Sequence, residues 1–304
     1  MAETKLFLNE VKGKQKEILL SFKKELNVSW NKLAEIVNKS RSMVFHYNND
    51  KHKMPLEVIE KLCVKTTGNF KKFENLKVIK NYKFLPKKII KPKLNEDLAE
   101  FLGALSGDGC IGNYGNAVEI TCSRLVDKNY IETRILKLFK KLFGLNKKTS
   151  VKKNVIYVRS YCKELSEFLN KDFGFPKGHK KNQLKIPPEI KKKPKFLKKF
   201  LAGLFDTDGS FYGHHPNTGA VAFISASKKF LEEVFEALKS LNFKCCISGK
   251  SVYIYDKNEI DKFFKEIKPK NLKHLLKYRI FKETKKVPSH KEIIEILNNA
   301  AAVV

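Results

Sequence analysis

The sequence predicts an α+β protein built from two pseudo-symmetric αββαββα units, preceded by a small all-α domain. Three observations carry that expectation. Two stretches, Phe101-Leu102-Gly103-Ala104-Leu105-Ser106-Gly107-Asp108-Gly109 and Leu201-Ala202-Gly203-Leu204-Phe205-Asp206-Thr207-Asp208-Gly209, agree closely: apolar residues, a glycine third, Asp-Gly last. After each stretch, alternating and helical patterns follow in the same order. Ahead of both, residues 1–66 show helix signals.

In that first segment a helical pattern runs from Leu8 to Leu26. Ser29 fits an N-cap for a helix with Leu33, Ile36 and Val37 on one face. Asn38-Lys39-Ser40 turns into a second helix, Arg41 to Asn48, and a third begins after Pro55. The arrangement resembles a repressor-like helix-turn-helix. The resemblance implies that Ser40 caps a recognition helix and that Arg41, Ser42 and His46 meet DNA. Residues 67–94 are lysine-rich with scattered aromatics, Phe70, Phe73, Tyr82 and Phe84, and with Pro86 and Pro92 as breakers. They read as a basic linker.

The first unit spans 95–178. Glu96-Asp97 open its first helix, and Val118 to Cys122 alternates apolar and polar. Ile131, Ile135 and Leu138 mark a helix, Val155 to Arg159 a second alternating strand, and Leu165, Phe168 and Leu169 a last helix. Residues 179–195 link to the second unit, 196–288. There Val221 to Ser227 reads as the strand, and Leu231, Phe235 and Leu238 stand 100 residues beyond the middle helix of the first unit. Ser251 to Tyr255 follows a Gly249-Lys250 turn. Ile260, Phe263 and Phe264 match the last helix, and 289–304 form a tail.

The repeated helix ends have a physical logic. A glycine inside a helix costs about 1 kcal/mol against alanine, so two at one position ask for a close backbone approach. If Gly103 and Gly203 face each other, the helices touch and bring Asp108 and Asp208 together at their exits. A helix C-terminus disfavours a carboxylate, and two adjacent carboxylates repel. A divalent cation resolves both problems, and few acidic oxygen ligands suit Mg²⁺ completed by water and a substrate phosphate. Such a centre beside a phosphodiester is a hydrolysis site.

The two nonamers resemble the signature helices of LAGLIDADG homing endonucleases, in the single-chain, two-repeat, archaeal form. The second agrees with the name motif at seven of nine positions. The resemblance implies a saddle of two sheets over the DNA major groove. It implies Asp108 and Asp208 as catalytic ligands of Mg²⁺ or Mn²⁺, with the carbonyls of Gly107 and Thr207 completing the shell. Basic residues belong near the scissile phosphates; Lys185, in a Lys-Ile-Pro-Pro stretch like that of archaeal relatives, and Lys277 are the candidates. Carried onto this chain, the DNA-facing strand residues are Glu119, Thr121, Arg124, Tyr157 and Arg159 in one half and Ser225, Ser227, Tyr253 and Tyr255 in the other. The implied activity is site-specific, metal-dependent hydrolysis of double-stranded DNA. It gives a staggered break at an intron- or intein-less allele, and the partner is a long asymmetric target held by a monomer. Two departures stand out. Ser106 replaces an often acidic residue, and Thr207 stands where alanine or glycine is usual, adding bulk that would loosen the seam.

Two other functions share these features: a non-catalytic regulator joining the same core to a helix-turn-helix, and an RNA-binding intron maturase. Retention of both aspartates favours the nuclease. An intein is a third. Met1 at the start and Asn298-Asn299-Ala300-Ala301-Ala302-Val303-Val304 at the end carry no splicing cysteine or His-Asn, which reads as a freestanding protein.

Charge agrees with a polyanion partner. The net charge is +30, and of 62 basic residues five are arginine. Lysine is a phosphate point charge, so most of this charge sets affinity and salt dependence rather than base choice. Cys63, Cys110, Cys122, Cys162, Cys245 and Cys246 form no Cys-x-x-Cys pair, which argues against zinc and for reduced thiols in a cytoplasm. No signal peptide and no membrane-length apolar run is present.

Overall fold

Serine caps start the helices of the first segment. Ser29 accepts from the Lys32 amide at 3.2 Å and Ser40 from the Met43 amide at 3.2 Å, opening α2 (Trp30–Ile36) and α3 (Arg41–Asn48). The structure is a computed structural model that describes residues 6–66, 75–80, 89–180 and 183–302. It divides into two units, Met1–Leu85 and Pro86–Val304.

In the first unit, α1 (Lys14–Glu25), α2, α3 and α4 (Leu56–Lys65) enclose Leu19, Leu33, Val37, Val44 and Ile59. The all-α expectation is corrected here. β1 (Leu6–Leu8) pairs antiparallel with β2 (Val78–Lys80), Phe7 opposite Ile79. The helical pattern assigned from Leu8 therefore starts at Lys14, and part of the expected linker is a strand. Phe70, Phe73, Tyr82, Phe84 and Pro86 lie outside the described residues. At the far end of that linker, Ile89 and Leu94 pack against the core of the second unit.

The second unit repeats one architecture twice. Its first copy comprises α5 (Glu96–Asp108), β3 (Gly109–Ile111), β4 (Val118–Ser123), α6 (Arg124–Tyr130), a π-helical turn (Ile131–Ile135), α7 (Leu136–Phe143), β5 (Ser150–Lys152), β6 (Val155–Ser160) and α8 (Lys163–Phe173). After a short α9 (Pro188–Lys191) comes the second copy. It comprises α10 (Pro194–Asp208), β7 (Gly209–His215), β8 (Thr218–Ile224), α11 (Lys228–Ser240), β9 (Cys246–Ser248), β10 (Ser251–Ile254) and α12 (Lys257–Glu266). The two sheets are antiparallel and share one order, β3-β4-β6-β5 and β7-β8-β10-β9. This is the expected α+β duplication.

Alternation decides which strand face meets the core. In β4, Val118, Ile120 and Cys122 are buried while Glu119 and Thr121 are half-exposed; in β6, Ile156 and Val158 are buried and Arg159 is exposed. The expected 289–304 tail is corrected too. Residues beyond α13 (Leu272–Thr284) form α14 (His290–Ala302), which packs near α6 and buries Ile293.

Candidate functional site

α5 and α10 pack along their lengths, and the reason is at Gly103 and Gly203. A Cβ on Gly103 would stand 2.8 Å from the Phe200 carbonyl carbon; one on Gly203 would stand 2.8 Å from the Ala104 nitrogen. Each glycine therefore lies against the partner helix's backbone, and a side chain at either would part the helices. Asn95 caps α5 by accepting from the Leu98 amide at 2.9 Å, with Glu96 and Asp97 in the favourable first turn. Thr207 does not loosen the seam as expected. Its hydroxyl donates back to the carbonyls of Gly203 and Leu204, both at 3.1 Å, and it faces Gly107, which has no side chain. Small opposite large keeps the contact closed.

The seam ends at Asp108 and Asp208. Burial, then the charge of Asp208, pushes the Asp108 carboxyl up to about 6; burial also raises Asp208, against the pull of Lys180 and Lys273. The charge of Asp208 thus reaches the Asp108 carboxyl. The Cys122 thiol hydrogen-bonds to Asp108.

The basic residues are not the expected ones. Lys185 is exposed because Leu184 and Ile186 on either side are buried, which turns the residue between them outward. Lys180 reaches the site instead. Its ammonium donates to the carbonyls of Ser106 at 2.8 Å, Gly109 at 2.8 Å and Gly107. Lys277 donates to the Phe211 carbonyl at 3.2 Å, in β7, while Lys273 acts on both carboxylates and pairs with Asp127 at 2.8 Å. The alternation around Lys185 was legible in the sequence; the folding of 270–273 back onto repeat one was not.

That fold-back rests on a buried polar cluster. Asp206 accepts from the amides of Lys270 and Asn271 at 2.8–3.0 Å, and burial pushes its carboxyl up to about 7. The Asn271 amide group donates to Asp127 at 2.6 Å and to the Asp206 carbonyl at 2.8 Å. Alongside, Lys270 meets Glu100 at 3.0 Å, and Arg134 grips Glu100 at 2.5 Å and Asp97 at 2.8 Å. A cavity of about 450 Å³ opens on the Asp208 side, lined by Ser106, His179, Lys180, Asp208, Ser225 and Ser227 among others.

On the outer sheet faces, Glu119 lies directly opposite Arg159 and Thr121 opposite Tyr157. Arg159 pairs with Glu119 and lies 5.2 Å from the Tyr157 ring centroid; Thr121 donates to Glu119 at 3.0 Å. Arg124 is exposed at the start of α6. In the other half the strand ends at Ile224, earlier than expected. Ser225 and Ser227 lie in the turn beyond it, and Ser227 is consumed as the α11 cap, accepting from Phe230 at 3.3 Å. Tyr253 keeps the expected half-exposed face and hydrogen-bonds with Tyr212, which the sequence reading missed because β7 has no clear alternation. Tyr255, just past β10, is exposed and stacks with His214 at 6.2 Å. In the first unit Arg41 and Ser42 are exposed on α3, and His46 lies within 3.4 Å of the Ser42 hydroxyl.

Among the described residues, no cluster of three or more His, Cys, Asp or Glu side chains forms a metal cage. The oxygen set fits Mg²⁺ all the same, since that ion keeps water and takes one or two carboxylates. The carbonyls that gather the Lys180 ammonium beside Asp108 and Asp208 already hold a cation there. No helix among the described residues is long and apolar enough to cross a membrane.

Residues 195–268 match the family model described as a LAGLIDADG-like domain. The replication factor C small subunit of Methanocaldococcus jannaschii is 32% identical over 151 residues, 47% of this chain and 7% of that protein, so the chain spans a small fraction of that relative's length. Among solved structures, I-DmoI in complex with DNA and Mn is 20% identical, covering 58% of this chain and 98% of its own, with a TM-score of 0.40. Full-length WhiA from Thermatoga maritima is 18% identical over 69% of each chain, with a TM-score of 0.41. The family-model match falls on the second repeat, and the first repeat shares its sheet order and its helix exit.

Proposed function

We propose that this protein is a homing-type endodeoxyribonuclease, cutting both strands of a long asymmetric duplex target with a divalent cation. The observation that carries the reading is the pair of carboxylates, Asp108 and Asp208, at the end of a glycine seam, with the charge of Asp208 reaching the Asp108 carboxyl. Asp108 and Asp208, with the carbonyls of Gly107 and Thr207, would hold Mg²⁺ or Mn²⁺. Once bound, the ion would supply an activated water and a charge to stabilise the leaving oxygen. Lys180 and Lys273 put positive charge beside the carboxylates, where the scissile phosphates gain negative charge. Thr121, Tyr157, Arg159, Tyr212 and Tyr253 present hydroxyl and guanidinium tips from two antiparallel sheets, a geometry suited to base edges in the major groove. The lysine excess sets affinity. Six cysteines without a disulfide agree with a reducing compartment, and the protein is taken as a cytoplasmic monomer.

The test is cleavage. A target selected from a random duplex library and placed in a plasmid should yield one linear product with Mg²⁺. Asp108→Asn and Asp208→Asn should each abolish cutting and leave binding nearly intact; undiminished cutting by both refutes the assignment. A regulator is the second reading, favoured by the exposed Arg41 and Ser42 on the Ser40-capped α3. It predicts tight, specific binding with no cutting by the unmutated protein.

A further inference from the structure

The last carbonyls of any helix lack partners within it and attract cations. At the α5 exit, Lys180 uses its three N–H donors on two such oxygens, those of Ser106 and Gly107, and on the Gly109 carbonyl at the start of β3. The Gly107 carbonyl is also an oxygen that a metal between Asp108 and Asp208 would take. An ammonium and a divalent ion cannot share it, because they repel at that separation.

The α10 exit is served differently. The carbonyl of Asp206 receives the neutral amide of Asn271, and the nearby Lys273 is drawn aside by Asp127. Among the described residues, a resident ammonium on helix-end carbonyls is thus a feature of the α5 exit and not of the α10 exit. Lys180 also lines the open cavity beside Asp208, Ser225 and Ser227, so its ammonium has room to leave the carbonyls.

We propose that Lys180 is a built-in competitor for the metal: its ammonium occupies the α5 exit in the free protein, and a divalent cation enters as that ammonium moves away. The inference rests on the nuclease reading of the site and deepens it. A DNA phosphate that draws Lys180 into the cavity would open the position for metal, so metal and DNA would strengthen each other's binding, by reciprocal linkage.

The test uses the full chain without DNA and Mn²⁺ as probe, its free concentration read by electron paramagnetic resonance. Lys180→Met, which keeps the stem and removes the charge, should bind Mn²⁺ about tenfold tighter than the unmutated protein, the factor for losing one charge-assisted contact that must otherwise be broken. Equal or weaker binding by Lys180→Met overturns the competition. A second measurement needs no variant: acetylation of Lys180, followed by mass spectrometry, should rise when Mn²⁺ is added, relative to Lys273 held on Asp127. An unchanged ratio also overturns it. The two failures are distinguishable. Mn²⁺ binding that is equal in both proteins and lost in Asp108→Asn leaves the metal site standing without the competition; no Mn²⁺ binding in any of them removes the metal site as well.

Discussion

Gly203→Ala is the sharpest test of the seam. In an isolated helix alanine is favoured over glycine by about 1 kcal/mol, so helix propensity alone predicts a more stable protein. The packing predicts the opposite. The new methyl would stand 2.8 Å from the Ala104 nitrogen against the 3.4 Å of ordinary contact, a deficit of 0.6 Å, and closer still to the Glu100 carbonyl oxygen. What it strikes is backbone, which has no rotamer to yield, so α10 must move away from α5. Overpacking costs about 1–3 kcal/mol where side chains can adjust; here the upper end applies, leaving a net loss of about 2 kcal/mol after the propensity gain. For a domain of this size that lowers Tm by about 4–8 °C. The assay is thermal unfolding followed by circular dichroism, with cleavage measured well below the transition. Parting the helices also separates Asp108 from Asp208, so activity should fall while the protein is still folded. A Gly203→Ala protein that melts at or above the parent temperature refutes the argument that backbone contact set this residue.

Other expectations concern the polar cluster and the outer faces. Arg134→Met leaves Glu100, 1% exposed, with Lys270 as its remaining cation, and should cost about 3 kcal/mol in urea unfolding, as breaking a buried pair does. Asn271→Ala strips donors from Asp127 and from the Asp206 carbonyl and should cost about 2–3 kcal/mol by the same measurement. Asp206 keeps its proton to about pH 7 when folded and loses it near 3.8 when unfolded, so its contribution to stability is full below pH 4 and declines as pH rises to 7. Asp206→Asn should flatten that decline in unfolding titrations; a steeper slope would contradict it. Arg159→Ala removes an exposed pair worth about 0–1 kcal/mol to folding, yet should relax base preference on the β4–β6 face by about 1–3 kcal/mol in competition binding.

What the sequence disclosed followed periodicity. Val118-Glu119-Ile120-Thr121-Cys122 and Val155 to Arg159 alternate, and the strands, their faces and the duplication came out as expected. The carboxylates were legible because helix, glycine and Asp-Gly stand in one local stretch. Errors arose where local pattern gives way to long-range contact. β1 and β2 are three residues each and pair across most of the first unit, so neither carries a periodic signal. In β8 a run from Gly219 to Phe223 is buried on both faces, which hides the register and misplaced Ser225 and Ser227. No local pattern marks Asp127 and Asp206 as buried; both meet Asn271, 144 and 65 residues away along the chain.

The duplication preserved the backbone and let the exits diverge. Both helices end in Asp-Gly, and both glycine positions touch the opposite backbone, because the seam tolerates no side chain there. The charges around the exits face no such steric rule. One exit holds a lysine ammonium on its carbonyls; the other holds an asparagine amide, with Lys273 paired to Asp127. The asymmetric duplex target proposed above would present two different strands to this pair, and unlike exits would then carry no penalty that a symmetric target would impose. The physical expectation is that stability of the seam responds alike to substitutions at Gly103 and Gly203, whereas the electrostatics at Asp108 and Asp208 respond differently to loss of Lys180 and of Lys273. Geometry is common to the two halves, and charge is particular to each.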